Sequence, residues 1–160
     1  MNYGFMRSLV FFTAALTFLS DRLTKYFVVR SVSDTGPVRI IPGIFHITLV
    51  MNNGAAFGML KDKAALFVFV AMLAISLIIF YALRSGPMKA HVASALGLIL
   101  GGASGNLVDR LRFGYVIDFL DFRVWPVFNL ADSAITIGAA ILVLGILSEI
   151  RNDDASSSRR

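Results

Sequence analysis

The chain has 160 residues, 57% of them hydrophobic and 16% charged, with a formal net charge of +5. Its mean hydropathy of +0.76 is too high for an ordinary soluble globule, so the sequence reads as a polytopic membrane protein of one domain. Cysteine is absent, which excludes disulfides, thiolate nucleophiles and Cys-ligated metals and leaves Asp, Asn, Ser, Lys and His to carry any chemistry. The basic residues are scattered apart from Arg159-Arg160, a pattern that suits anionic lipid headgroups and gives no nucleic-acid footprint.

In chain order, the first apolar run, residues 9–19, follows Arg7 and has the length of a signal-peptide core. No small-x-small site follows it; the chain continues into Asp21-Arg22-Leu23-Thr24-Lys25, which predicts an uncleaved helix over about 5–29. Asp21 and Lys25 are four apart on one face of that helix and able to pair, either as an interfacial ion pair or as polar support for a site. A small sheet is expected over about 36–53, because Phe45, Ile47, Leu49 and Met51 alternate with Ile44, His46, Thr48 and Val50, with Pro42-Gly43 as the turn. Asn53-Gly54 ends the alternation, and residues 55–60 suggest a short interfacial helix.

Residues 64–83 contain no charge and match the roughly 20 residues needed to span a bilayer. Further helices are expected over about 90–110, where Gly97, Gly101 and Gly105 form a small-xxx-small ladder, and over about 128–149. The fold class is therefore a membrane all-α bundle of four transmembrane helices with a small sheet, in a single domain over 1–150. The Ser-rich segment 151–160 reads as a disordered tail. Both termini lie on one side, but the Lys/Arg distribution does not fix which.

Polar residues near spans need a reason, since a charge at the bilayer centre costs about 2.5–3.5 kcal/mol on insertion scales. Residues 101–110 place Asn106, Asp109 and Arg110 at the end of a Gly-rich helix, with Asn106 and Arg110 on one face. Ser104 lacks the second glycine of a nucleophile elbow, no phosphate-loop Lys follows, and His46 and His91 stand alone. Four aspartates, Asp109, Asp118, Asp121 and Asp132, cluster near the last span. Asn129 and Asp132 have capping-box spacing. Two carboxylates a few ångströms apart cannot both ionise; one can then take a proton from attacking water while the other donates to a carbonyl oxygen. Residue pattern alone leaves open which two aspartates would pair.

Five blocks in order, Asp21-x-x-x-Lys25, Asn52-x-Gly54-Ala55-Ala56-Phe57, Gly101-Gly102-Ala103-x-Gly105-Asn106-x-x-Asp109-Arg110, Val116-x-Asp118-Phe119 and Phe128-Asn129-x-Ala131-Asp132-Ser133, resemble lipoprotein signal peptidase, or signal peptidase II. The resemblance implies an intramembrane aspartic peptidase of the bacterial inner membrane, with cytoplasmic termini and a periplasmic sheet. It would cleave diacylglyceryl-modified prolipoproteins just before the lipidated cysteine, without cofactor or metal, as a monomer among membrane lipids. Asp118 and Asp132 match the catalytic pair. Asp21, Lys25, Asn52, Gly102, Asn106, Arg110, Asn129 and Ala131 match residues that support the pair or contact substrate, and Gly54 is expected as the hinge of a cover formed by the sheet and the segment 54–57. Asp109 matches a structural position. The rival readings are a small transporter or channel with an embedded carboxylate path, and a scaffold that uses the glycine ladder to bind partner helices.

Overall fold

The computed structural model describes residues 3–33, 35–54 and 64–157. In chain order these form α1 (Tyr3–Val32), β1 (Val38–Ile41), β2 (Phe45–Asn52), α2 (Ala64–Arg84), α3 (Ala90–Phe113), β3 (Val116–Asp121) and α4 (Leu130–Ser157). Among the described residues, three helices are long and apolar enough to cross a membrane, α2, α3 and α4. The chain is an integral membrane protein, mostly helical, with a small three-stranded sheet.

The helix α3 is central. In its most apolar stretch 56% of residues are buried, against 6% in α2 and 17% in α4, so α2 and α4 turn most of their surface outward. Glycine makes this arrangement possible. A Cβ at Gly97 would lie 2.6 Å from the Val10 carbonyl oxygen, and one at Gly101 would collide with the Ala14 carbonyl, so this side of α3 meets α1 at backbone distance. On the opposite side a Cβ at Gly102 would lie 2.5 Å from the Ala131 carbonyl oxygen, and Gly138 of α4 leaves the same kind of gap for Ala95. The ladder expected from the sequence thus serves packing within the chain.

The sheet has the order β1-β2-β3 and is antiparallel throughout. The third strand is a correction to the sheet expected over about 36–53, since it adds residues 116–121, Asp118 among them. Val116–Asp121 is buried along nearly its whole length, so it carries no polar alternation to betray a strand. A second correction concerns register. Ile47 pairs with Leu120 but Val50 pairs with Asp118, so β2 spends one extra residue between them. Such a bulge reverses which residues share a face: Val50 and Asn52 side with Asp118, whereas His46 and Thr48 side with Asp121. Strict alternation over 44–51 therefore does not describe the strand.

At the end of the chain, α4 continues through Ser157, so residues expected as a disordered tail from Arg151 are helical that far. No Pro or Gly between Arg151 and Ser157 stops the helix. The expected interfacial helix over 55–60 lies outside the described residues.

The glycine contacts give a stability test. Gly101→Val should lower the thermal unfolding midpoint in detergent by the equivalent of about 1–3 kcal/mol of overpacking. Gly86→Ala, where no atom lies within 4 Å of the added carbon, should leave it unchanged.

Candidate active site

The geometry of the site starts from how α4 begins. Leu120 donates its N–H to the Phe128 carbonyl at 2.7 Å and Phe128 returns the bond at 3.2 Å, which stitches the segment before α4 against β3. The next residue, Asn129, caps the helix. The Asp132 N–H donates to Asn129 Oδ1 at 2.9 Å, and the Asn129 N–H donates to Asp132 Oδ2 at 3.3 Å, a reciprocal capping box. The expected box is therefore formed, and it points the Asp132 carboxylate back toward the end of β3.

The Asn129 amide then reaches Asp118. Its Nδ2 donates to Asp118 Oδ1 at 2.7 Å and also approaches Asn106 Oδ1 at 3.0 Å. Asn52 Nδ2, on the same face of the sheet as Asp118 because of the bulge, donates to Asp118 Oδ2 at 2.8 Å. Asn52 Oδ1 meanwhile accepts the Gly54 N–H at 3.0 Å. On the other side Asn106 Nδ2 donates to Asp132 Oδ1 at 2.7 Å. Two side-chain amides, Asn129 and Asn106, thus link the two aspartates into one frame, while Asn52 holds Asp118 alone.

Behind this frame lies a buried charge cluster. Lys25 pairs with Asp21 at 2.9 Å and with Asp109 at 2.7 Å, and Arg22 pairs with the second oxygen of Asp109. Two acids and two bases leave it neutral, as such burial requires. The pairing of Asp21 with Lys25 is present as the spacing suggested, but both side chains are almost wholly inaccessible, so it is no interfacial ion pair. Asp109, expected at a structural position, has Lys25 and Arg22 as its partners. Asp121 belongs elsewhere: it accepts from Thr48 Oγ1 at 2.9 Å and from the Arg123 N–H at 2.9 Å on the other face of β3.

Asp118, Asp132, Asn52, Gly54 and Arg110 line one cavity of about 710 Å³, walled also by Phe122, Trp125, Phe128, Ser133, Thr136 and Ile137. Arg110 stacks on the Phe67 ring, its guanidinium carbon 4.9 Å from the ring centroid. Burial pushes the Asp118 carboxyl up to about 6, helped by the Asp132 charge and opposed by the Asn52 and Asn129 amides and the Lys25 charge. Burial also presses Asp121 upward, but its bonds from Arg123 and Thr48 outweigh this and hold it below the ordinary range. Among the described residues, no group of three or more His, Asp and Glu side chains is placed to hold a metal ion.

Comparison with known proteins places this geometry. The family model described as "Signal peptidase (SPase) II" matches residues 13–148. The chain belongs to the signal peptidase II family. The lipoprotein signal peptidase of Halothermothrix orenii is 46% identical over 138 residues, covering 85% of this chain and 93% of that one. That of Pelotomaculum thermopropionicum is 43% identical, covering 94% and 97%. A bacterial membrane enzyme structure obtained by the in meso method at 2.3 Å resolution superposes with a TM-score of 0.82 at 28% identity, covering 89% of this chain and 90% of that chain.

Within this signal peptidase II chain, every site residue expected from the sequence lies in one neighbourhood. Gly102 packs on the Ala131 carbonyl, and the Ala131 N–H donates to Asp21. Ser104 lies apart, in an apolar groove between α1, α2 and α3. Sequence reasoning missed Arg22 and the aromatic wall Phe122, Trp125 and Phe128. No spacing rule marks them, since the fold alone brings 122–128 beside the aspartates.

The electrostatics yield a pH test. Removing a neighbouring negative charge favours ionisation, so Asp132→Asn should move the Asp118 midpoint down from about 6. Carboxyl carbon-13 NMR or difference infrared titration reads the shift; an unchanged or raised midpoint contradicts the coupling.

Proposed function

We propose that this chain is an aspartic endopeptidase that removes the signal peptide from diacylglyceryl-modified prolipoproteins, cutting just before the lipidated cysteine. The observation that carries the reading is the pair Asp118 and Asp132, facing one cavity and joined through Asn129 and Asn106, in a member of a signal peptidase family. The curated relatives named lipoprotein signal peptidase supply the substrate class, and no comparison supports a transporter.

The chemistry follows from the charge state of the pair. With one proton between them, the ionised carboxylate takes a proton from water as its oxygen attacks the scissile carbonyl carbon, and the neutral carboxyl donates to the carbonyl oxygen. When the tetrahedral species collapses, one of its hydroxyls returns a proton to the ionised carboxylate as the C=O bond re-forms, the C–N bond breaks, and the leaving nitrogen takes up the proton of the other carboxyl. The apolar cavity wall strengthens these transfers by excluding bulk water. Arg110 and Asn52 face the cavity as donors for the substrate backbone. Gly54 is also on the cavity wall, and the cover expected beyond it lies outside the described residues.

Topology completes the proposal. At 30 residues, α1 is long enough to span, and Phe5, Phe12, Leu16, Leu19, Leu23 and Phe27 are all exposed along it, which suits a fourth lipid-facing helix. We place residues 1–150 in one monomeric domain of the bacterial inner membrane, with cytoplasmic termini and the sheet and site near the periplasmic face. The diacylglyceryl chains then stay in lipid while the scissile bond reaches the aspartates.

The test uses purified protein with a lipid-modified prolipoprotein. Asp118→Asn and Asp132→Asn keep shape but remove acid-base capacity, so each should lower cleavage by at least about 10²–10⁴-fold. Retained cleavage in either variant overturns the assignment.

A further inference from the structure

Lys25 is the bulkiest of the fully buried side chains, at 1% exposure, and it does not reach the cavity. Its ammonium has three N–H groups; it donates to Asn106 Oδ1 at 3.0 Å and forms ion pairs with two further acceptor groups, Asp109 Oδ2 at 2.7 Å and Asp21 Oδ2 at 2.9 Å. Each acceptor leads on toward one of the two site aspartates. Asp21 Oδ1 accepts the N–H of Ala131, the residue before Asp132, at 3.1 Å. Asp109 Oδ2 accepts the N–H of Ile117, the residue before Asp118, at 3.2 Å. Asn106 turns its Nδ2 onto Asp132 itself.

We propose that Lys25 is a positioning residue that sets the spacing and orientation of Asp118 and Asp132, gripping through Asp21 and Asp109 the peptide N–H just before each of them and through Asn106 the amide that faces Asp132. The inference rests on the reading of Asp118 and Asp132 as the acid-base pair.

Buried ion clusters are often replaceable by apolar residues without loss of stability, so their presence needs another account. An amide also has two orientations, and Lys25, a pure donor, selects one of them. With Asn106 reversed, its NH₂ would face the ammonium and its carbonyl would face the Asp132 carboxylate, both repulsive. Gly105 belongs to the same arrangement, since a Cβ there would lie 2.5 Å from Asp21 Oδ2 and displace the acid. The Lys25 charge also acts on Asp118 directly, holding its carboxyl lower than burial alone would.

The experiment compares Lys25→Met with a triple variant, Asp21→Asn, Lys25→Met and Asp109→Asn, which removes the three inaccessible charges and leaves only that of Arg22, 22% exposed to solvent, each purified in detergent and assayed on a lipid-modified prolipoprotein. The triple variant keeps the acceptors for the Ala131 and Ile117 N–H groups but removes their link, and should retain a cooperative thermal transition even where Lys25→Met does not. Its kcat should fall about 100-fold, the scale of an ångström-level misplacement, with KM changed by less than about threefold. Its pH profile should also be displaced from that of the parent. A folded variant with parental kcat and an unmoved profile overturns the proposal. If Asp118→Asn or Asp132→Asn also cleaves, the underlying reading has failed; if both are inactive while the triple variant works normally, only the role of Lys25 has.

Discussion

A carboxylate held inside a helical membrane protein has to find its donors within the protein, because lipid offers none. Asp118 meets this demand with the amides of Asn52 and Asn129, and Asp132 with the amide of Asn106 and the N–H of Asn129. The fold around the site is organised to bring those donors together. The capping box starts α4 at the right place, the bulge in β2 turns Asn52 to the face of Asp118, and the bridge between Leu120 and Phe128 joins sheet to helix. An unmet buried charge would cost several kcal/mol, about as much as the whole stability of some domains.

The close packing of α3 serves the same end. Glycines at 97 and 101 bring α1 close, and Gly102 brings in the first turn of α4. With α1 and α4 drawn against one helix, Asp21 and Lys25 from α1 meet Asn106 and Asp109 from α3 and the backbone of Ala131 from α4. Residues without side chains thus place the residues whose side chains carry charge. The helix α2 packs mainly on α3 and touches the site through Phe67, which supports Arg110.

Much of this was legible in sequence, for identifiable physical reasons. Helices with uniform apolar composition show themselves by length, and the pairing of Asp21 with Lys25 and of Asn129 with Asp132 follows from helical geometry at short range. What depends on tertiary context was hidden. A strand buried on both faces, such as Val116–Asp121, has no alternation to read. The register shift in β2 leaves no mark in its residues, and no local spacing joins Arg22 to Asp109, 87 positions further along the chain. Four aspartates stood equal by composition, and family resemblance, not residue pattern, singled out Asp118 and Asp132. The contacts give these four distinct settings: Asp109 lies in the buried charge cluster, Asp121 on the far face of β3, and Asp118 and Asp132 on the cavity.

The central claim is that Asp118 and Asp132 flank the reacting carbon. It is tested most directly by a crystal structure with a lipid-modified peptide in which a hydroxyl-bearing carbon replaces the scissile carbonyl. The account predicts that hydroxyl within hydrogen-bond reach of both carboxylates, at about 2.6–3.2 Å from an oxygen of each. A peptide seated outside the cavity, or a hydroxyl touching only one of the two, would contradict it.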